Sequence, residues 1–300
     1  MDLRKFKQIS VIMLAAAVLF LAVIMITNKN KTENLPHSVA ENMSVLFEKA
    51  GISLSAGTVP LAREELDVYS MSGATPKKAE EIAALISDST RRAANLTEDG
   101  YIFRLQSGAF AFVSPTRAFE YSSRNNAGAG EVDFNIGAFV SASTLSAASQ
   151  NNAKLIINKL MNNDGNVGTY CTYRLVSGLE ESDTQLHFDI YIGDTQVRNT
   201  KLNISADGEK ILSAEGYAFF DALKKENGKP KYDIINVLKA EYDRLLHEGS
   251  TANTVTSIKP CYISELGEDD TVYFLPGWTI FYDNGDVSVY NSITCQIVRD

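Results

Sequence analysis

The chain has 300 residues, 45% hydrophobic and 22% charged, with 19 glycines and 7 prolines: enough apolar material for two or three cores and too little bias for long disorder. Without its first 29 residues it carries 24 basic against 36 acidic side chains, a net charge of −12, and such a surface repels phosphate backbones, so no nucleic acid partner is expected. Three cysteines, Cys171, Cys261 and Cys295, have neither zinc-site spacing nor the density of a disulfide framework.

Residues 1–8 form a basic tail containing Arg4, Lys5 and Lys7. The run "ISVIMLAAAVLFLAVIMI" over 9–26 follows, with Ser10 its only polar residue. As a helix it is about 27 Å long, close to the thickness of a bilayer's hydrocarbon. A cleaved signal peptide needs a small-residue site after the run, and "TNKNKTENLP" follows instead. The expectation is an uncleaved, single-pass transmembrane helix. Its cytoplasmic N-terminus rests on three basic residues before the span, softened by Lys29 and Lys31 after it, and the remainder is expected outside the cytoplasm, in the cell envelope. Helices associate in lipid through small residues or hydrogen bonds, so Ser10, Ala15, Ala16, Ala17 and Ala22 are the candidate contact face. They form no small-xxx-small repeat, which points to a looser contact with another protein's helix rather than a tight self-dimer.

A polar stalk, 27–37, leads to an N-terminal α+β module over 38–140. Its first helix starts at Ser38, with Glu41 in capping-box register and Val39, Met43, Leu46 and Phe47 on one face, and stops at Gly51. A second helix starts at Thr75-Pro76 and buries Ala79, Ile82, Ala83 and Ile86. "YIFRLQSGAFAFVS" (101–114) reads as a hairpin and 131–139 as a further strand.

A middle module, 141–220, places a helix at 142–161 before strands near 168–177, 184–192, 196–204 and 209–215. A C-terminal module, 221–300, repeats the plan: a helix at 231–247 presents Ile235, Leu238, Tyr242 and Leu245, and strands follow near 255–264, 271–275, 278–283, 286–291 and 295–299. The expected fold class is therefore α+β, one N-terminal transmembrane helix followed by repeated helix-plus-antiparallel-meander modules.

Catalytic signatures are sparse. The three histidines, His37, His187 and His247, have no metal-site spacing, and neither a GxSxG elbow nor a P-loop occurs. His187 in "QLHFDIYI" reads as a packing or surface residue, and His247 as a partner of a helix C-terminus. The acidic runs "GLEESD" and "GEDD" lack the loop spacing of a calcium site and read as solvated turns. No enzyme activity, cofactor or metal is expected. Cys261 and Cys295 fall in one expected sheet, where strand register decides whether they bridge. Trp278, the only tryptophan, shares a strand face with Ile280 and is expected in the core, against the helix at 231–247, rather than stacked on a ligand.

"FLPGWTIFYDNGDVSVYNSITCQIV" resembles the end of the YycI-type regulatory proteins and, more distantly, their YycH-type companions. The matched residues are Pro276, Trp278 and Ile280, then Asn291 and Thr294. Gly277, Thr279, Ser292 and Cys295 depart from that pattern, where the family has Ala, Arg, Ala and Gly. "ILSAEGYAFFDALKKENG" and "NMSVLFEKAGISLSAGTVP" are similar to the family's approach to its second helix and to its opening helix. The resemblance implies a membrane-anchored protein outside the cytoplasm. Such a protein regulates a two-component sensor histidine kinase controlling cell-wall metabolism, together with a YycH-type companion, through contacts inside and outside the membrane. The helix-plus-meander plan also resembles PepSY-like modules, which implies as the alternative a protease inhibitor or a carrier of cell-envelope ligands.

Overall fold

The computed structural model describes residues 35–61, 66–86, 93–97, 99–104, 110–122, 169–177, 185–207, 210–227, 233–249 and 253–298. The helices among them are α1 (His37–Lys49), α2 (Pro76–Ile86) and α3 (Ile234–Glu248). The strands are β1 (Val68–Ser72), β2 (Ala93–Thr97), β3 (Gly100–Arg104), β4 (Phe110–Val113), β5 (Ala118–Ser122), β6 (Cys171–Ser177), β7 (Gln185–Ile192), β8 (Thr195–Asp207), β9 (Lys210–Tyr217), β10 (Lys224–Glu226), β11 (Val255–Leu266), β12 (Thr271–Tyr282), β13 (Val287–Asn291) and β14 (Ile297–Val298). Two compact units divide the chain. The first takes residues up to 64 with 233–258 and 281–286; the second takes 65–232, 259–280 and 287–300.

In the first unit α1 buries Ala40, Met43 and Phe47, a spacing of three and four that lines one helical face. The helix begins at His37, one residue before the expected start, and no side chain caps it. Glu41 lies 3.2 Å from the ring of His37 one turn back, so the expected capping box does not form. Gly51, at φ 79°, ends the helix as expected, freeing the amide of Ile52 to bond Phe47 O at 3.0 Å. Helix α3 is capped by Asp233, whose Oδ1 accepts from the amides of Ile235 (3.1 Å) and Asn236 (3.2 Å), and it closes on Gly249 at φ 76°. The rings of Phe47 and Tyr242 lie 6.4 Å apart. Ser53 bridges Thr254, its amide bonding Asn253 O at 2.7 Å.

The second unit is built on one mixed sheet in the order β10-β1-β12-β11-β8-β9-β5-β4-β3-β2; β13 and β14 extend from β12, and β7 and β6 from β8. Alternation makes the inward face: Leu186, Phe188, Ile190 and Ile192 of β7 join Leu202, Ile204, Ala214, Phe119 and Tyr121 in one apolar cluster. Phe219 and Phe274 meet edge-on there at 4.9 Å. Helix α2 starts at the expected Thr75-Pro76, with Thr75 Oγ1 accepting from the amide of Lys78 at 3.3 Å, and buries Ala79, Ile82 and Ala83 in the same cluster.

The expectation of repeated helix-plus-meander modules is overturned by strand pairing. β1, from the expected first module, runs antiparallel to β12 from the last, with Tyr69 opposite Phe274. β5 pairs with β9 and β8 runs parallel to β11 at Val197 and Tyr262, so strands from all three expected modules share one sheet. Nor is the single-pass architecture what the described residues form: among them no helix is long and apolar enough to cross a membrane, and residues 9–26 lie outside them. The expected strand at 131–139 and helix at 142–161 also lie outside.

Residues 271–275 and 278–283, expected as two strands, are one continuous strand through Pro276-Gly277. The ladder with β1 ends at Phe274, so the proline's missing N–H falls just beyond the last β1 pair, while Pro276 O accepts the amide of Ser292 at 2.9 Å. Trp278 and Ile280 are buried, and so are Gly277 before them and Thr279 between them. A Cβ at Gly277 would sit 2.6 Å from Ile263 Cδ1, 2.6 Å from Tyr290 O and 3.1 Å from Cys261 Sγ. The departure from alanine at this position is thus forced by packing. Gly277→Ala should lower unfolding free energy by about 1–3 kcal/mol in urea titrations, whereas Gly57→Ala, where the nearest atom to a new Cβ is Ser55 Oγ at 3.7 Å, should change it by less than about 0.5 kcal/mol.

Candidate functional site

The outward face of the second unit's sheet carries a polar groove. Register lines up His187 with Asn203, Asn203 with Glu215, and Glu215 with Glu120 across β7, β8, β9 and β5. A parallel row runs Gln185, Ser205, Ser213, Ser122. Together these side chains line a groove of about 310 Å³. Directly opposed residues share a sheet face, so the two rows present imidazole, amides, hydroxyls and carboxylates to one space.

Within the groove one chain of hydrogen bonds has a fixed direction. Asn203 Nδ2 donates to Glu215 Oε1 at 2.9 Å, which leaves Asn203 Oδ1 as the acceptor facing His187 Nδ1 at 2.7 Å. An amide oxygen cannot donate, so Nδ1 carries the proton and Nε2 is the nitrogen left for other partners. Beside this row, burial raises the Asp189 carboxyl above its ordinary range against the pull of Arg198. Arg174 stacks 4.1 Å from the Tyr191 ring centroid and bonds Asp194 at 2.8 Å.

Three further polar groups lie inside the fold. Arg117, 1% exposed and at φ 66°, donates through Nε to Ser72 O (2.8 Å) and through Nη2 to Asp221 Oδ2 (2.6 Å). Lys78 bonds the other Asp221 oxygen at 3.1 Å. Burial pulls the Asp221 carboxyl upward, and the two cations outweigh it, holding it below the usual carboxylate value. Close by, the Tyr173 hydroxyl donates to Tyr217 O and accepts the Phe219 amide, both at 2.8 Å, while burial pushes it and the Cys171 thiol up. In the first unit the fully buried Glu241 accepts Arg244 Nε and Nη2 at 2.8 Å each and the Tyr282 hydroxyl. Glu241 is buried beside Leu238 and Leu245 on that helix, while Tyr242 is half-buried against Phe47.

The matched C-terminal residues come together as a turn and a strand. Asn291, 2% exposed, accepts at Oδ1 from the amides of Ile293 (2.7 Å) and Thr294 (3.3 Å), and its Nδ2 donates to Glu265 at 2.8 Å. Pro276 joins through Ser292, Trp278 and Ile280 lie buried along the same strand, and Thr294 is exposed. Cys295 takes φ 57° in that turn, where the resembled pattern has glycine. Ser10, Ala15, Ala16, Ala17 and Ala22 lie outside the described residues, as does "GLEESD". "GEDD" forms the β11–β12 turn, with Asp269 accepting from the amide of Thr271 at 3.2 Å. His247 meets Asp243 O at 2.6 Å in the last turn of α3. Among the described residues no three His, Cys, Asp or Glu side chains gather as a ligand set.

No family model and no curated protein matches the chain, so these comparisons give no support to the YycI-type and YycH-type labels or to two-component regulation. Among solved structures it is similar to an uncharacterized protein from Eubacterium rectale ATCC 33656, at 11% identity, covering 80% of this chain and 87% of that one, with a TM-score of 0.40. That likeness assigns neither a fold family nor an activity.

Arg117→Leu should cost about 3–5 kcal/mol, because it strips a buried polar contact and leaves the Asp221 carboxylate with Lys78 alone. The pH profile gives a second readout. A carboxyl depressed in the folded state contributes stability present above its unfolded value, about 3.9, and lost as pH falls through the folded value. Urea midpoints of the native chain should therefore drop between about pH 5 and 2, and Arg117→Leu should flatten part of that slope.

All three cysteines are free thiols, so the bridge considered between Cys261 and Cys295 does not form. Burial pushes Cys261 up to about 12 and raises Cys171 as well. Unreduced intact mass should correspond to three thiols, and a thiol-reactive disulfide reagent at pH 8 should label Cys295 first, reaching Cys171 and Cys261 only as urea unfolds the chain.

Proposed function

We propose that this chain acts by binding and regulating another protein rather than by chemistry of its own, the partner being a sensor histidine kinase of the cell envelope. The observation that carries the first half is the fate of its buried charges. Arg117 is committed to Ser72 O and Asp221, and Glu241 to Arg244 and Tyr282. A catalytic acid or base is normally a titratable group held in a cleft with its reactive atom aimed at a substrate. Here these groups are spent on joining elements. The kinase is supported by sequence alone: Pro276, Trp278, Ile280, Asn291 and Thr294 match the end of a kinase-restraining family.

The full chain, co-reconstituted in lipid vesicles with each sensor kinase of its own genome, should change the autophosphorylation rate of one of them by about threefold or more. An unchanged rate for every kinase, with the chain incorporated and folded by circular dichroism, overturns the reading.

A further inference from the structure

We propose that the groove across β5, β7, β8 and β9 binds a short glycan bearing ammonium groups, an oligosaccharide of amino sugars. The lining strands are paired on both sides, β6 flanking β7 as far as His187, so a ligand meets chiefly side chains rather than free backbone edges. That disfavours an extended peptide, which is held chiefly by main-chain bonds to an open edge. The row of Gln185, Ser205, Ser213 and Ser122 offers groups that each donate and accept, the same dual character as sugar hydroxyls. His187, oriented through Asn203, adds Nε2.

Charge selects within that class. Glu215 and Glu120 stand directly opposite on adjacent strands, an arrangement that destabilises a sheet unless a cation lies between them. Among the described residues no lysine or arginine lines the groove, so phosphorylated or carboxylated sugars are repelled and protonated amines attracted. On the next strand Phe110 faces Ser122 and Phe112 faces Glu120; both rings are half-buried and offer an apolar platform at the groove's side. A volume of about 310 Å³ is at the lower end for small-molecule sites, which suits one or two rings seated at a time.

The test is calorimetric titration of the full chain with β-1,4-linked tetraglucosamine, with tetralysine of equal charge as the second arm. Saturable one-site binding is expected. It should be weakened about tenfold by the Glu120→Gln, Glu215→Gln pair and about tenfold by the Ser205→Ala, Ser213→Ala pair, with tetralysine bound at least about tenfold more weakly than the glycan. Thermal melts establish that each variant is folded, and the two pairs touch different chemistry, so a misfolded pair leaves the other to decide. Absence of heat with tetraglucosamine, binding indifferent to a folded variant pair, or tetralysine bound as tightly as the glycan overturns the proposal, the last by reducing the site to plain charge attraction.

Discussion

The second unit depends on one guanidinium. Arg117 sits in the turn between β4 and β5, and its three backbone and side-chain ties reach far along the chain: Nε to Ser72 O, Nη2 to Asp221, and its own carbonyl to the amide of Ala218 at 3.0 Å. Through Asp221 the network takes in Lys78 on α2. The start of the sheet, the hairpin strands, the helix and the segment leaving β9 thus converge on one side chain that water does not reach. A buried cation without such partners would be costly, so the pairing is a condition on the topology as much as a contribution to stability. The left-handed backbone at φ 66° adds strain that the same contacts hold in place.

How much of this was legible depends on the range of the forces involved. Helix ends set by a cap or a glycine were readable, because Thr75-Pro76 and Gly51 act within a turn. The alternation of "QLHFDIYI" likewise gave β7 and its faces. Ser38 and Glu41 matched a capping pattern, yet Pro36 already starts the helix, and a local motif yields to where the preceding chain enters. What could not be read was pairing. β1 against β12 joins residues some two hundred positions apart, and nothing in a period of two says which strand lies alongside. The expected modules came from assuming that strands close in sequence pair with one another, and this sheet takes its order from long-range pairs instead.

The groove was half legible for the same reason. Period two places Gln185, His187 and Asp189 on one face, which leaves His187 as a packing or surface residue. Only register brings Asn203 beside it and sets two carboxylates opposite each other, and register belongs to the β7–β8–β9–β5 pairing. The C-terminal motif shows the complementary case. Gly277 and Asn291 are recognisable in sequence, but the physical reason for each, a missing Cβ facing Tyr290 O and an amide closing a turn onto Glu265, comes from neighbours on other strands.

The two buried charges meet the same electrostatic demand in opposite ways, and the difference bears on how each part forms. Glu241 finds its guanidinium three residues along its own helix, so that ion pair exists as soon as α3 winds, before any tertiary contact. The Tyr282 hydroxyl arrives from elsewhere in the chain, and it acts on a carboxylate already partly neutralised. Arg117 has no such local partner in its network: Ser72 O and Asp221 lie 45 and 104 residues away in sequence. Until those stretches are in register the guanidinium is better off in water, so its burial is conditional on the long-range pairing of the sheet being right. A wrongly paired sheet would bury Arg117 unsatisfied or leave it exposed with a hole behind it. The residue therefore discriminates among strand arrangements that the hydrophobic pattern alone treats as equal, and in a sheet of so many non-local pairs that discrimination is where a single polar side chain has most effect.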